Sequence, residues 1–186
     1  MTKPIKNIDD LSIIPPHGRF GAIRKFDVHT GFDIYCPDGE PVYAIESGIV
    51  TSIEHFTGKF TTPIPMPWWA NTMAIGIEGK SGVILYGEVY TPKIKVGDKI
   101  FEGQKIAKVK RVLKKDKGLP TTMLHIELYE HGYRDEWAIW LEDLEYHQIT
   151  YLEYVRLNPP YANTLKFGKP EHLQNIELLL KQIYDL

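Results

Sequence analysis

The sequence has little cysteine, no long apolar run and no excess of positive charge, and each absence excludes a class of protein. A single cysteine, Cys36, stands among 186 residues, so neither an internal disulfide nor a zinc site built from several thiolates can form. No apolar stretch approaches the roughly 20 residues that a membrane-spanning helix needs. The formal net charge of −2 at pH 7 predicts no nucleic-acid partner, because nucleic acids are usually bound by clustered Lys and Arg.

The N-terminal segment MTKPIKNIDDLSIIPP also lacks the apolar core of a signal peptide. A full-length chain of this kind is expected in the cytoplasm, whereas a processed form is expected in the cell envelope or outside the cell. The sequence does not distinguish these compartments, and it predicts no oligomeric state. Its one basic run, between Lys108 and Lys117, is expected to be a solvated loop.

Residues 40–128 consist of short alternating segments separated by turns, which predicts a β-rich domain. NTMAIGIEG and VILYGEVY flank Lys80-Ser81-Gly82, a pattern typical of two strands joined by a tight turn. In TMLHIELYE, alternate residues from Met123 to Tyr129 share one face of a strand. The leucines and isoleucine between them are expected to form the core face.

The proline-rich segment TGKFTTPIPMPWW, residues 57–69, interrupts this pattern and predicts a loop. Loops of this length often form lids or binding rims. Trp68 and Trp69 either bind substrate at such a rim or fix the loop onto the sheet, since aromatic side chains serve both purposes.

One segment near the C-terminus has clear helical periodicity. PEHLQNIELLLKQIYDL carries Pro170 near its start and Glu171 in its first turn, followed by apolar residues at helical spacing. These features predict a helix over about 170–185.

The strongest signal for chemistry is VHTGFDIYCPDGEPVYAIESGIV, residues 28–50, in which His29 and Asp33 flank Gly31. Imidazole and carboxylate groups are suitable zinc donors, and a catalytic zinc site needs three protein ligands. His125, a single imidazole on the predicted non-core face of its strand, is the natural third ligand. Spacing alone makes this a weak prediction, because such pairs often arise by chance.

Several ordered blocks between residues 18 and 130 resemble the lysostaphin-type zinc metallopeptidases. The family has a Phe-Gly-x-Arg segment, then His-x-Gly-x-Asp, then a turn glycine, Pro-Val-x-Ala and a further glycine. This sequence carries those residues as Phe20, Gly21, Arg24, His29, Gly31, Asp33, Gly39, Pro41, Val42, Ala44 and Gly48, with Arg24 one position later than the Phe-Gly-x-Arg spacing. IKVGDKIFEGQKIAKV, residues 94–109, and TTMLHIEL, residues 121–128, resemble later blocks of the family.

The resemblance implies an antiparallel β-sheet or barrel-like core over 18–134, preceded by an N-terminal arm over 1–17. The segment 135–186 lies outside the resemblance and is expected to be a C-terminal extension. The family's ligand pattern falls on His29, Asp33 and His125, which implies a bound Zn²⁺. Members mostly cut peptides of bacterial peptidoglycan, so the implied partner is a peptide or peptidoglycan-like ligand.

Two positions depart from the family. The final block normally reads His-x-His, and its first, catalytic histidine is replaced here by Met123. A second catalytic histidine, in a Tyr-x-His segment, is replaced by Glu88. A thioether can neither donate nor accept a proton usefully, so Met123 is expected at most to contact substrate. Glu88 is a candidate general base, a second-shell partner of a ligand histidine, or a solvated strand residue.

Three functions therefore remain open at the level of sequence. The chain is a zinc metalloendopeptidase with altered chemistry, a non-catalytic zinc-stabilised module that binds peptide or cell wall, or a metal-free β-barrel-like carrier. Whether it is an enzyme is undecided, because each lost catalytic group typically costs about a hundred- to a thousandfold in rate. His17, His55 and His131 are expected to be surface residues rather than replacements.

Overall fold

The computed structural model describes residues 1–24, 27–61, 66–113, 121–133, 140–141 and 166–184. Its strands are β1 (Phe32–Tyr35), β2 (Pro41–Tyr43), β3 (Gly48–Thr57), β4 (Thr72–Gly79), β5 (Gly82–Val89), β6 (Lys99–Ile100), β7 (Lys105–Lys108), β8 (Met123–Tyr129), β9 (Trp140–Leu141), β10 (Lys166–Phe167) and β11 (Leu173–Gln174). A 3₁₀ turn covers Pro16–Gly18 and the helix α1 covers Ile176–Tyr184. Within these ranges no helix is long and apolar enough to cross a bilayer.

The core of the fold is a seven-stranded antiparallel sheet with strand order β1-β8-β5-β4-β3-β6, in which β11 also pairs with β8. Two smaller pairs, β2 with β7 and β9 with β10, accompany it. The predicted mainly antiparallel β-fold is thus confirmed. The tight turn between β4 and β5 is also present, with Gly79 opposite Gly82 and Gly82 at a φ of 123°.

Strand β8 differs from the prediction of one core face and one open face. Apart from Met123, every residue of the strand is buried, including His125, Glu127 and Tyr129 on the face that was expected to be open. Tyr129 packs there with Val83, Leu173 and the partly buried Trp140. The strand lies between β1 and β5, and Phe20 from the N-terminal segment packs against the same cluster as Leu173, so chain from both ends of the sequence contributes to its second face.

The predicted helix over about 170–185 begins later, at Ile176. Leu173 and Gln174 instead extend the sheet as β11, opposite Tyr129 and Leu128. Asn175 then starts the helix, because its side-chain oxygen accepts the backbone N–H of Glu177 at 3.0 Å, as an N-cap residue does. Pairing with the sheet outweighs the local helical pattern of residues 170–175.

Both ends of the described chain contribute to the main hydrophobic core. Alongside sheet residues, the core contains Ile5, Leu11 and Ile14 from the N-terminal segment and Ile176, Leu180 and Ile183 from α1. Arg19 forms an ion pair with Glu177 of this helix at 2.5 Å. These contacts fix the segment before β1, from which part of the candidate site comes.

Candidate metal site and its cavity

The pairing of β1 with β8 determines the position of two predicted ligands. Asp33 lies directly opposite His125 in the register of these strands. His29 comes from the segment just before β1, and its backbone is held by hydrogen bonds with Ala22 and Gly21. Residues that are 92 positions apart in sequence therefore face each other.

Three side-chain atoms of these residues form a small triangle. Nδ1 of His125 lies 2.8 Å from Oδ1 of Asp33, and Nε2 of His29 lies 3.1 Å from the same oxygen. The two nitrogens are 3.1 Å apart. All three residues are buried, with exposed fractions of 2–6%.

This triangle has the dimensions of a zinc site. In tetrahedral coordination with bonds of about 2.0–2.2 Å, neighbouring ligand atoms are separated by about 3.3–3.6 Å. The observed edges of 2.8, 3.1 and 3.1 Å are close to that separation, so one ion can contact all three atoms after a small expansion. Two nitrogens and one carboxylate oxygen are also donors that zinc favours.

The other nitrogen of each histidine is already occupied. Nδ1 of His29 donates to the carbonyl of Arg19 at 2.9 Å, and Nε2 of His125 donates to Glu127 at 2.9 Å. Such partners fix the ring orientation and direct the remaining nitrogen toward a metal. Glu127 itself accepts hydrogen bonds from Thr30 at 2.5 Å and Tyr129 at 2.7 Å.

Arg24 orients the carboxylate. One of its guanidinium nitrogens lies 2.6 Å from Oδ2 of Asp33, which leaves Oδ1 facing the two histidines. The sequence pattern grouped Arg24 with Phe20 and Gly21 but assigned it no role. Its place in that motif, nine residues before Asp33, was the only signal in the sequence.

The ionisable groups of the triangle shift one another's pKa values. Burial alone would lower the pKa of His125, but hydrogen bonds with Asp33 and Glu127 raise it to about 10. Burial lowers the pKa of His29. Burial would raise the pKa of Asp33, yet hydrogen bonds from His125 and His29 hold it below its ordinary value. A cation is thus strongly favoured between these groups.

The triangle opens onto a cavity of about 480 Å³. Its walls are His17, Ile23, Arg24, Asp33, Tyr35, Trp69, Glu88, Val112, Leu113, Thr121, Met123 and His125. Glu88, Met123 and Trp69 thus meet the metal-site residues in one space. Trp68 does not line this cavity: it is 60% exposed and stands edge-on to Trp69.

Glu88 has an unusual backbone and an unusual environment. Its φ of 60° is the only positive value for a residue other than glycine in the part of the chain that the structure describes. The residue follows Gly87, which is opposite His125, and it lies where the pairing of β4 and β5 is irregular. Its Oε2 atom is buried without a hydrogen-bond partner. Burial, with a contribution from Asp33, raises the pKa of Glu88 to about 8.

Three further histidines occupy different places. His17, expected to be an ordinary surface residue, lines the cavity although its side chain is exposed. His55 instead packs against Phe60, and His131 lies beside Glu78 and the carbonyl of Lys80. Tyr35 was also missed, although its alternation with Asp33 along β1 could have indicated a shared face.

Comparison with protein families identifies residues 27–136 as a match to peptidase family M23. The match covers more than half of the chain and includes His29, Asp33, Glu88, Met123 and His125. The chain belongs to this family. M23 proteins are metallopeptidases, so the predicted family is confirmed, and the buried triangle is a possible metal site of an M23 protein. No curated protein sequence matches the chain.

Several solved structures are similar to this M23 protein. CbpA from L. salivarius REN is 17% identical, with a TM-score of 0.50 and coverage of 92% of this chain and 90% of that one, which supports the fold. The catalytic domain of the prophage-encoded M23 protein EnpA from Enterococcus faecalis is 23% identical, with a TM-score of 0.43 and coverage of 63% and 79%. A zinc-containing peptidase from Vibrio cholerae is 25% identical, with a TM-score of 0.40 and coverage of 61% and 31%.

Proposed function

We propose that this M23 protein is a zinc metalloendopeptidase that acts on peptidoglycan-type peptides, with Glu88 as its proton-transferring group. The observation that carries the proposal is the buried triangle of His29, Asp33 and His125, with edges near 3 Å and a fixed partner behind each histidine. A metal-free carrier would have no need for such an arrangement. Membership of a peptidase family supports hydrolysis of a peptide bond.

His29, Asp33 and His125 would hold the ion. Bound there, zinc would polarise the peptide carbonyl and make water a better nucleophile. Arg24 and Glu127 contribute by holding Asp33 and His125 in place, through contacts of 2.6 and 2.9 Å. All three residues are buried, and Asp33 and His125 line the cavity.

Glu88 would accept a proton from the attacking water and pass it to the leaving amine. Its unpartnered, buried oxygen supports this role, since a structural carboxylate is normally hydrogen-bonded. Burial raises the pKa of Glu88, which makes its carboxylate a stronger proton acceptor than an ordinary glutamate. The cost of its backbone conformation, about 1 kcal/mol or more, is typical of residues held in place for function.

The cavity favours a substrate with apolar parts beside the scissile bond. Tyr35, Trp69 and Met123 provide aromatic and thioether surface next to the metal-site residues. Aromatic rings can pack on a peptide's side chains and backbone alike. The proposed substrate contacts are therefore Trp69 and Met123, with Trp68 at the outer rim.

The second candidate is a zinc-stabilised binding module that does not cleave its ligand. Met123 favours it, because this side chain lies in the cavity and cannot transfer a proton. In that case the metal would stabilise the fold and hold a peptide carbonyl or carboxylate. The binding surface would be the same cavity.

One set of variants separates these functions. We expect about one zinc per chain by elemental analysis of tag-free protein, and a loss of most zinc in His125→Ala. Glu88→Gln should keep zinc but reduce turnover of peptidoglycan fragments by about a hundredfold or more. His131→Ala, an exposed histidine away from the cavity, is the matched control and should change neither quantity.

The outcomes are distinct. Wild-type protein without zinc, after the ion has been supplied, would refute the metal site and the enzyme together. Zinc retention with no turnover of peptidoglycan or short peptides, but with measurable peptide binding, would favour the binding module. Equal turnover in wild type and Glu88→Gln would remove Glu88 from the mechanism.

A further inference from the structure

The turn Pro16–Gly18 is built against the strand that carries Asp33. A Cβ atom placed at Gly18 would lie 3.1 Å from the ring of Tyr35 and 3.4 Å from Cβ of Asp33, so the turn packs closely on β1. Prolines at positions 15 and 16 restrict the backbone on its N-terminal side. The ring of His17 meets the ring of Tyr35 edge-on, with centroids 6.2 Å apart.

Arg24 ties this turn to the metal site. Nε and Nη2 of Arg24 donate to the backbone carbonyl of His17 at 3.0 and 2.8 Å. The same Nη2 contacts Oδ2 of Asp33 at 2.6 Å. One guanidinium group therefore sets the position of His17 relative to a proposed zinc ligand.

Among the histidines that the structure describes, His17 lines the cavity without belonging to the triangle. It lines the same cavity as Glu88 and Met123. The described alternatives are engaged elsewhere, His55 with Phe60 and His131 with Glu78. An imidazole is well suited to donate a hydrogen bond to a peptide carbonyl, whereas the thioether of Met123 has no proton to donate.

We propose that His17 contacts the bound peptide directly and donates a hydrogen bond to its carbonyl oxygen beside the metal site. The interaction rests on the proposed function, since it needs a peptide in this cavity. The proposed hydrogen-bond donor thus comes from the turn Pro16–Gly18, which precedes His29 and Asp33 in the sequence. It does not come from residue 88 on β5 or residue 123 on β8. A donor of this kind stabilises negative charge that develops on the carbonyl oxygen during hydrolysis.

The test uses zinc-loaded, full-length protein and a blocked alanyl-glycyl phosphinic pseudodipeptide, whose two phosphinyl oxygens imitate an attacked carbonyl. Binding is measured by calorimetry for wild type, His17→Ala, His17→Gln and the control His55→Ala. We expect His17→Ala to weaken binding about ten- to a hundredfold, the range for one hydrogen bond to a charged group. His17→Gln should recover much of the loss, because its amide can still donate, and His55→Ala should bind like wild type.

Zinc content and melting temperature are measured on every variant to separate contact from structure. Unchanged zinc and stability, with weak binding by His17→Ala and recovery by His17→Gln, would support the proposal. Wild-type affinity in His17→Ala would overturn it while leaving the metal site and the peptidase intact. Equal losses in both His17 variants, or loss of zinc, would overturn it in favour of a structural role. Failure of wild type itself to bind zinc or the phosphinic peptide would overturn the proposed function along with it.

Discussion

Close contacts in the His-x-Gly-x-Asp segment explain why a glycine lies between the two ligands. A Cβ atom at Gly31 would stand 2.4 Å from the carbonyl oxygen of Ile126 and 2.7 Å from the ring of His125. Real Cβ atoms do not approach backbone so closely, so any side chain at residue 31 must displace β8 or the imidazole. The glycine is required by the space that His125 occupies rather than by a turn.

At the residue scale we therefore expect Gly31→Ala to weaken zinc binding by at least tenfold. The added methyl group moves the His125 ring, and ligand geometry tolerates little displacement. Competition with a chromophoric zinc chelator measures the change.

Gly97→Ala is the matched control for that substitution. A Cβ atom at Gly97 meets nothing within 4 Å, although its φ of 91° makes alanine unfavourable by about 1 kcal/mol. We expect this variant to be slightly less stable with normal zinc affinity. Equal zinc affinity in both variants would contradict the steric explanation.

At the scale of elements, the sheet and the C-terminal helix act together on the site. Helix α1 buries Ile176, Leu180 and Ile183 in the same core as the strands of the main sheet. Its Glu177 binds Arg19, whose carbonyl accepts the hydrogen bond from His29. A helix outside the family match thus supports a proposed ligand that lies almost 150 residues earlier in the chain.

Leu180→Ala tests whether this helix is part of the domain or a detachable extension. Because Leu180 is fully buried, the truncation should lower the free energy of unfolding by about 2–5 kcal/mol. Leu178 on the same helix is 63% exposed, and Leu178→Ala should change the free energy of unfolding by less than about 0.5 kcal/mol. Denaturant unfolding followed by tryptophan fluorescence measures both, and similar small effects would indicate an independent extension.

At the scale of the whole molecule, the metal site joins segments that are separate in the unfolded chain. His29 and Asp33 precede β1 or lie on it, whereas His125 lies on β8, about 90 residues later. An ion bound to all three residues therefore binds only the folded state. Such a ligand stabilises that state in proportion to the logarithm of its free concentration.

Zinc removal should accordingly lower the melting temperature. At a free zinc concentration about a thousandfold above its dissociation constant, the expected stabilisation is about 4 kcal/mol, or roughly 10 °C for a chain of this size. Differential scanning fluorimetry with zinc, with a chelator and with magnesium measures the effect. Magnesium should give no shift because it disfavours nitrogen ligands, and His125→Ala should lose the zinc response.

The sequence by itself determined the family, the β-rich fold and the identity of the residues in the triangle. Each of these depends on local signals: alternating apolar residues, turn glycines and the blocks around His29, Asp33 and His125. The role of those residues as ligands stays a prediction until zinc is measured. The geometry that they need is present in the fold.

Tertiary structure decided the points that local pattern could not. Alternation along β8 indicated two faces but not that chain from both termini would bury the second one. Helical periodicity in residues 170–175 was outweighed by pairing with Tyr129 and Leu128. His17, His55 and His131 look alike in sequence, and only packing brings His17 into the cavity, because Arg24 and Tyr35 hold its turn against β1. Contacts between residues distant in sequence set all three results.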